Sequence, residues 1–179
     1  KRQNIFKKAI SEEGSSGYGV IESDFLYCFI NHKRPKKVIQ IGCGVSTSII
    51  LRASKESETQ VKVVCIDPYP SNYLKKLNIE GEIQLIDKKA QIVDLVDLVD
   101  LDAGDLLFID STHTVKVGSE VNRIILEVLP RLKKGVLIHF HDVFFPYDYQ
   151  RNINSTPFFW SESSLLHSFL INNDQFVIR

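Results

Sequence analysis

Methionine is absent from the 179 residues, tryptophan occurs once and cysteine three times. With Lys at position 1 and no methionine, the start is expected not to be native, and segments are expected to lie outside this numbering. Cys28, Cys43 and Cys65 are odd in number and fall inside expected elements. That pattern argues against a disulfide framework and for a reducing compartment, the cytoplasm by default. No apolar run approaches the ~20 residues needed to cross a bilayer and no signal peptide is visible, so no membrane partner is expected. An excess of charge of one sign is lacking as well. Lysine plus arginine number 22 and aspartate plus glutamate 22, so nothing global steers the chain toward nucleic acid. What is present, 44% hydrophobic and 25% charged residues, is the make-up of one globular domain with a sizeable core.

Along the chain, strand and helix signals alternate. Residues 1–19 are polar, punctuated by Gly14, Ser15, Ser16, Gly17 and Gly19, and read as a flexible N-terminal segment ahead of a domain spanning 20–179. Glu22 to Asn31 has helical spacing, and a first strand covers Val38 to Ile41, followed by a helix from Ser46 to about Ser54. Further strands are expected at Lys62–Asp67, Glu82–Ile86, Leu106–Asp110 and Val136–Phe140. Helices are expected at Ser71–Leu77, Glu120–Leu132 and Ser161–Leu170. Ile92 to Asp102 reads as one amphipathic helix with Asp94, Asp97 and Asp100 on a solvated edge, and Phe176-Val177-Ile178 as the start of a last, truncated strand. Apolar strands alternating with helices imply an α/β, doubly wound, mostly parallel sheet with helices on both faces.

Chemistry concentrates at the carboxyl ends of those strands, where such sheets bind ligands. The stretch Val38-Ile39-Gln40-Ile41-Gly42-Cys43-Gly44-Val45-Ser46-Thr47 is a strand, a tight glycine loop and a helix start, a cradle for a nucleotide-like ligand. Asp67, Asp110 and the pair His141-Asp142 end the next three long strands. Buried apolar strands need no terminal acid for stability, so this layer points to a site. Asp67 is placed to accept hydrogen bonds from ribose hydroxyls, or else to cap the loop toward Ser71. The third glycine of a dinucleotide fingerprint is replaced by Thr47, which favours a cofactor without pyrophosphate.

These residues resemble the class I S-adenosylmethionine-dependent methyltransferases, which carry a Gly-x-Gly loop after strand 1 and acids ending strands 2 and 4. The segments Phe108-Ile109-Asp110-Ser111-Thr112-His113, Gly118-Ser119-Glu120-Val121-Asn122, Leu129-Pro130-Arg131, His139-Phe140-His141-Asp142-Val143-Phe144 and Trp160-x-Glu162-x-x-Leu165-Leu166 look like a small single-domain subgroup. That subgroup comprises sugar and natural-product O-methyltransferases. The match covers residues 18 to 179. It implies a Rossmann-like fold and S-adenosylmethionine as cofactor, with Gly42, Cys43 and Gly44 against its methionine part and Ser46 and Thr47 nearby. It also implies Asp67 and Pro68 at the ribose and Ala90 and Gln91, or Asp87, at the adenine. Asp110 falls at the transferring methyl. In metal-dependent relatives an acid at that point joins an acidic pair after strand 5. Here the corresponding residues are His141 and Asp142, so Asp110, His141 and Asp142 are a mixed nitrogen and oxygen set suited to Mg, Mn, Fe or Zn.

A sulfonium methyl is already activated, so the protein's task is to align the acceptor and remove its proton. Asp110, His113, His141 and Asp142 are the catalytic candidates, the histidines as bases and the acids as orienting partners. His139, two residues before His141, is read as packed beneath the site or as part of it. Phe144, Phe145, Pro146, Tyr147 and Trp160 form a lid or join the core. The expected activity is methyl transfer to a small-molecule hydroxyl of sugar type. The competing classes are an NAD(P)-dependent oxidoreductase and a non-catalytic cofactor-binding protein of the same fold. A homo-oligomer is left open.

Overall fold

In a computed structural model, residues 2–14, 17–146 and 160–179 are described. Five strands, β1 (Lys37–Ile41), β2 (Lys62–Ile66), β3 (Gln84–Ile86), β4 (Leu106–Ile109) and β5 (Leu137–Phe140), form one sheet in the order β3-β2-β1-β4-β5. Every pairing is parallel. Alternate residues of each strand feed two separate cores, because successive side chains point to opposite faces of a sheet. Val38, Val63, Cys65, Leu106 and Phe108 pack under α2 (Val20–Lys33), α3 (Val45–Glu56) and α4 (Asn72–Ile79). Ile39, Ile41, Val64, Ile66, Leu107 and Ile109 pack under the helical segment after β4 and under α7 (Glu162–Leu170). This is the doubly wound α/β arrangement expected from the sequence, and its winding reverses between β1 and β4, where a ligand crevice opens.

Four local differences have physical causes. Residues 2–13, inside the segment read as flexible, form helix α1 (Arg2–Glu13). Ala9 is fully buried there, and Glu12 binds Arg52 and accepts from Ser48 Oγ at 3.1 Å and Tyr73 Oη at 3.2 Å. The expected Ile92–Asp102 helix shrinks to a 3-10 turn at Ala90–Ile92 and α5 (Leu95–Val99), with Asp100 drawn outside it by Lys37. The expected Glu120–Leu132 helix changes pitch twice. After α6 (Glu120–Arg123) come a π turn at Ile124–Val128 and a 3-10 turn at Leu129–Arg131. Pro130 has no N–H to continue an α-helical ladder. Phe176-Val177-Ile178 forms no strand. Phe176 packs edge-on against Phe169, and Val177 and Ile178 are exposed. Among the described residues no helix is long and apolar enough to cross a membrane.

Phe108, on β4 between β1 and β5, has no exposed surface, whereas Val117 is fully exposed. Phe108→Ala is expected to lower stability by about 3–5 kcal/mol, and Val117→Ser to stay within about 0.5 kcal/mol. Urea unfolding of the two variants measures both.

Candidate active site

The crevice at the β1/β4 switch is a cleft of about 210 Å³ lined by Glu13, Gly17, Tyr18, Gly42, Cys43, Gly44, Val45, Ser46, Asp67 and Asp110. Its floor is the glycine loop. Gly42 has φ +80, and a Cβ there would stand 1.7 Å from the Asp110 carbonyl oxygen, so only glycine lets β1 turn away this close to the end of β4. The loop is held from below by Gln40, a fully buried amide inside β1. Its Nε2 donates to Ser46 Oγ at 2.5 Å, its Oε1 accepts from Thr47 Oγ1 at 2.8 Å, and Thr47 Oγ1 accepts the Gly44 N–H at 3.2 Å. Thr47 is thus a buried support of the cleft. From the side, Asp67 accepts the N–H of Cys43 at 3.2 Å and that of Tyr69 at 2.8 Å, which aims its carboxylate across the loop.

Beyond Asp110 the cleft meets two imidazoles and two more acids. His113 Nε2 lies 3.4 Å from Asp110 Oδ1 and 3.9 Å from Asp142 Oδ2. His141 Nδ1 lies 3.6 Å from Asp110 Oδ1 and 3.3 Å from Asp142 Oδ2. His113 and Asp142 both have positive φ, at 56° and 57°, a strain that persists only where the surroundings enforce it. For His113 the enforcement is visible. Its carbonyl accepts the N–H groups of Ser161 and Glu162 at the start of α7, its Nδ1 meets Glu162 Oε2 at 2.8 Å, and its ring lies against Trp160. Tyr18 stacks on His141 with ring centroids 4.9 Å apart.

Charge in this cluster is set by pairing. Burial alone would raise the Asp110 carboxyl, but the adjacent imidazoles of His113 and His141 outweigh it and bring it down to about 2. Burial would likewise discharge the imidazoles. Asp110 and Glu162 instead raise His113 to about 9, and Asp110 and Asp142 raise His141 to about 10. His139 has no such partner. Burial, with the nearby charge of His141, lowers it to about 4, and it stacks flat on Phe108 at 4.7 Å with Nε2 unbonded. Of its two readings, packing is the one observed.

The mixed metal set does not fit this arrangement. Asp110 and Asp142 stand 3.3–3.9 Å from the nitrogens of His113 and His141, turned toward these imidazoles. Among the described residues no group of three or more His, Cys, Asp or Glu is disposed to hold an ion. Of the remaining sequence candidates, Pro68 and the buried Ala90 do not line the cleft, and Gln91 lines a separate groove with Ser119, Asn122 and Arg123. Arg123 Nη1 holds the Ala90 carbonyl at 2.7 Å and Gln91 Nε2 donates to Glu120 at 3.0 Å. Phe145 packs in the core against His167, Phe144 is partly exposed, and Tyr147 lies outside the described residues. Sequence reasoning missed Gln40, Glu13 and the role of Glu162. A glutamine inside an apolar strand was a signal for the first, and the Trp160-x-Glu162 motif for the last.

A five-stranded parallel sheet with a glycine loop and acid-ended strands at its switch point defines a Rossmann-like α/β protein. Residues 39–143 match a family model described as a methyltransferase domain, and the chain belongs to that family. This agrees with the resemblance drawn from the sequence. A protein of Archaeoglobus fulgidus named only as uncharacterized is 30% identical over 90 residues, covering 49% of this chain and 41% of its own length. The chain thus spans about two fifths of that relative. Among solved structures, the SAH-bound methyltransferase PaMTH1 of Podospora anserina has a TM-score of 0.63 at 15% identity, over 97% of this chain and 79% of that one. A Klebsiella pneumoniae protein proposed to be an O-methyltransferase has a TM-score of 0.51 at 16% identity, over 75% and 63%.

Gly42→Ala, which meets a backbone oxygen, is expected to lower stability by about 3 kcal/mol or more. Gly118→Ala, at φ +72 but with open space around it, should lose only about 1 kcal/mol. Chemical denaturation of the pair separates steric conflict from backbone strain.

Proposed function

We propose that this protein transfers a methyl group from S-adenosylmethionine to a hydroxyl of a small, sugar-like molecule. The observation that carries the reading is the charge of the cleft. Glu13, Asp67 and Asp110 line it, and no lysine, arginine or histidine does among the described residues. Such a wall suits a ligand that carries a sulfonium and an ammonium, and it repels the pyrophosphate of a nicotinamide dinucleotide. Membership of the methyltransferase-domain family supports the same cofactor, and the Podospora protein of like fold binds its demethylated form.

Gly42, Cys43, Gly44 and Ser46 hold the methionine part, with Thr47 and Gln40 fixing the loop beneath them. Asp67 takes the ribose, its direction set by the Cys43 and Tyr69 amides. No residue is assigned to the adenine, because Pro68 and Ala90 do not line the cleft and Gln91 lines a separate groove. The cofactor supplies a methyl already activated by the sulfonium, so alignment of the acceptor, worth up to about 7–11 kcal/mol in the ideal case, is the protein's main contribution.

An acceptor hydroxyl must also lose its proton. At neutral pH the carboxylates around them hold His113 and His141 protonated, so neither accepts a proton until it has first released its own. A positive ligand in the adjoining cleft eases that release. Transfer is expected to survive exhaustive chelation. Because the imidazoles are raised, their basic forms grow in as pH climbs toward about 9 and about 10, so transfer at saturating cofactor should rise from pH 7 to pH 9. A flat profile across that range contradicts their role as bases.

Pooled small metabolites offered with methyl-labelled cofactor should yield label on hydroxyl oxygen, located by mass spectrometry. Label on nitrogen or nucleic acid overturns the acceptor assignment. Asp110→Asn and His141→Ala should each slow transfer by about 10²-fold or more while changing cofactor affinity far less.

A further inference from the structure

Glu13, the last residue of α1, lies in the segment that sequence reasoning set aside, yet its side chain lines the cleft. Its Oε1 would stand 3.6 Å from a Cβ at Gly44, so the carboxylate rests on the glycine loop. Its Oε2 is buried with no hydrogen-bond partner. A buried carboxylate oxygen left unpaired is costly, and native proteins seldom retain one without a ligand or function to answer for it. Burial pushes the Glu13 carboxyl up, the Ser71 hydroxyl opposes that shift, and the charge of Asp67 adds to it. Glu13 therefore stands at the Asp67 end of the cleft. Tyr18, only 4% exposed and with its own hydroxyl unpartnered, lines the same cleft and stacks on His141 at the opposite end. Unmet polar atoms at both ends of one cleft mark a surface shaped for a polar ligand.

The Asp67 carboxylate is partly spent already, since each of its oxygens accepts a backbone N–H. A vicinal diol presents two hydroxyl donors, and one carboxylate fixed in this way serves both poorly. Glu13 brings a second acceptor from the other side of the loop. Its position is itself secured, because the neighbouring Glu12 binds Arg52, Ser48 and Tyr73 and so clamps α1 onto α3 and α4.

We infer that Glu13 is a second ribose-binding carboxylate, taking one hydroxyl of the cofactor's vicinal diol on Oε2 while Asp67 takes the other. The inference rests on the cofactor assignment made above. On binding, the hydroxyl satisfies the orphan oxygen and separates two acids that otherwise face each other across the loop.

The test is calorimetric titration of wild type and Glu13→Gln with S-adenosylhomocysteine and with 5′-methylthioadenosine, which keeps the ribose and lacks the amino-acid part. A hydrogen bond to a charged group gives about a tenfold effect or more, and both ligands should weaken by that same factor in the variant. The 2′-deoxy and 3′-deoxy forms of methylthioadenosine should bind wild type more weakly than the ribo form, and for one of them that difference should collapse in Glu13→Gln. Weakening of S-adenosylhomocysteine alone would move Glu13 to the ammonium and overturn the inference, as would unchanged affinity for both. Failure of the wild-type protein to bind either ligand would instead overturn the cofactor assignment. Thermal melting checks that the variant is folded, and Glu13→Ala replaces it if it is not.

Discussion

The approach of the Gly42 backbone to the Asp110 carbonyl is the constraint on which the site depends. β1 and β4 are adjacent parallel strands, and their ends must diverge to open a crevice. Gly42 turns with φ +80 against a carbonyl that leaves no room for a side chain. That turn starts α3 directly under the cleft, and it leaves Asp110 pointing over the loop toward His113 and His141. Gln40, Thr47 and Asp67 then hold the loop from below and from the side, so the strand register sets the position of the floor to within a hydrogen bond.

Electrostatics divides the neighbourhood into two compartments. Glu13 and Asp67 wall the cleft proper, and among the described residues no lysine, arginine or histidine lines it. Next to it, carboxylates and imidazoles neutralise one another in a cluster closed by Glu162. The first compartment carries carboxylates without a basic residue among the described residues of its lining. The second is balanced at rest and must give up a proton before it can take one. Asp110 belongs to both, lining the cleft and meeting His113 and His141 through one carboxylate oxygen.

Much of this was legible in the sequence where chemistry and local pattern coincide. Short apolar runs ending in Asp67, Asp110 and His141-Asp142 locate the strands and the layer of polar ends, and Gly42 and Gly44 locate the turn. What escaped depends on contacts far apart in the chain. Glu162 meets His113 across 49 positions, and Glu12 ties α1 to Arg52 across 40, distances over which no periodicity reports. The Val-Asp-Leu repeat misled for the opposite reason. Its helical spacing is locally sound, but Lys37 and the turn at Ala90–Ile92 take its two ends, and only Leu95–Val99 remains helical.

His139 and His141 show how little residue type alone decides. They lie two residues apart, His139 inside β5 and His141 just past its end, with ring centroids 6.3 Å apart. His141 reaches the strand-end layer, where Asp110 and Asp142 outweigh the burial that would discharge it. His139 stays one step deeper, against Phe108 and Phe25, where burial and the charge of His141 together outweigh the opposing charge of Asp110. The deeper ring is thus kept neutral in part by the one above it. Charge in this part of the sheet is confined to the layer that faces the cleft, and the core beneath can pack as though the histidine there were an ordinary aromatic residue.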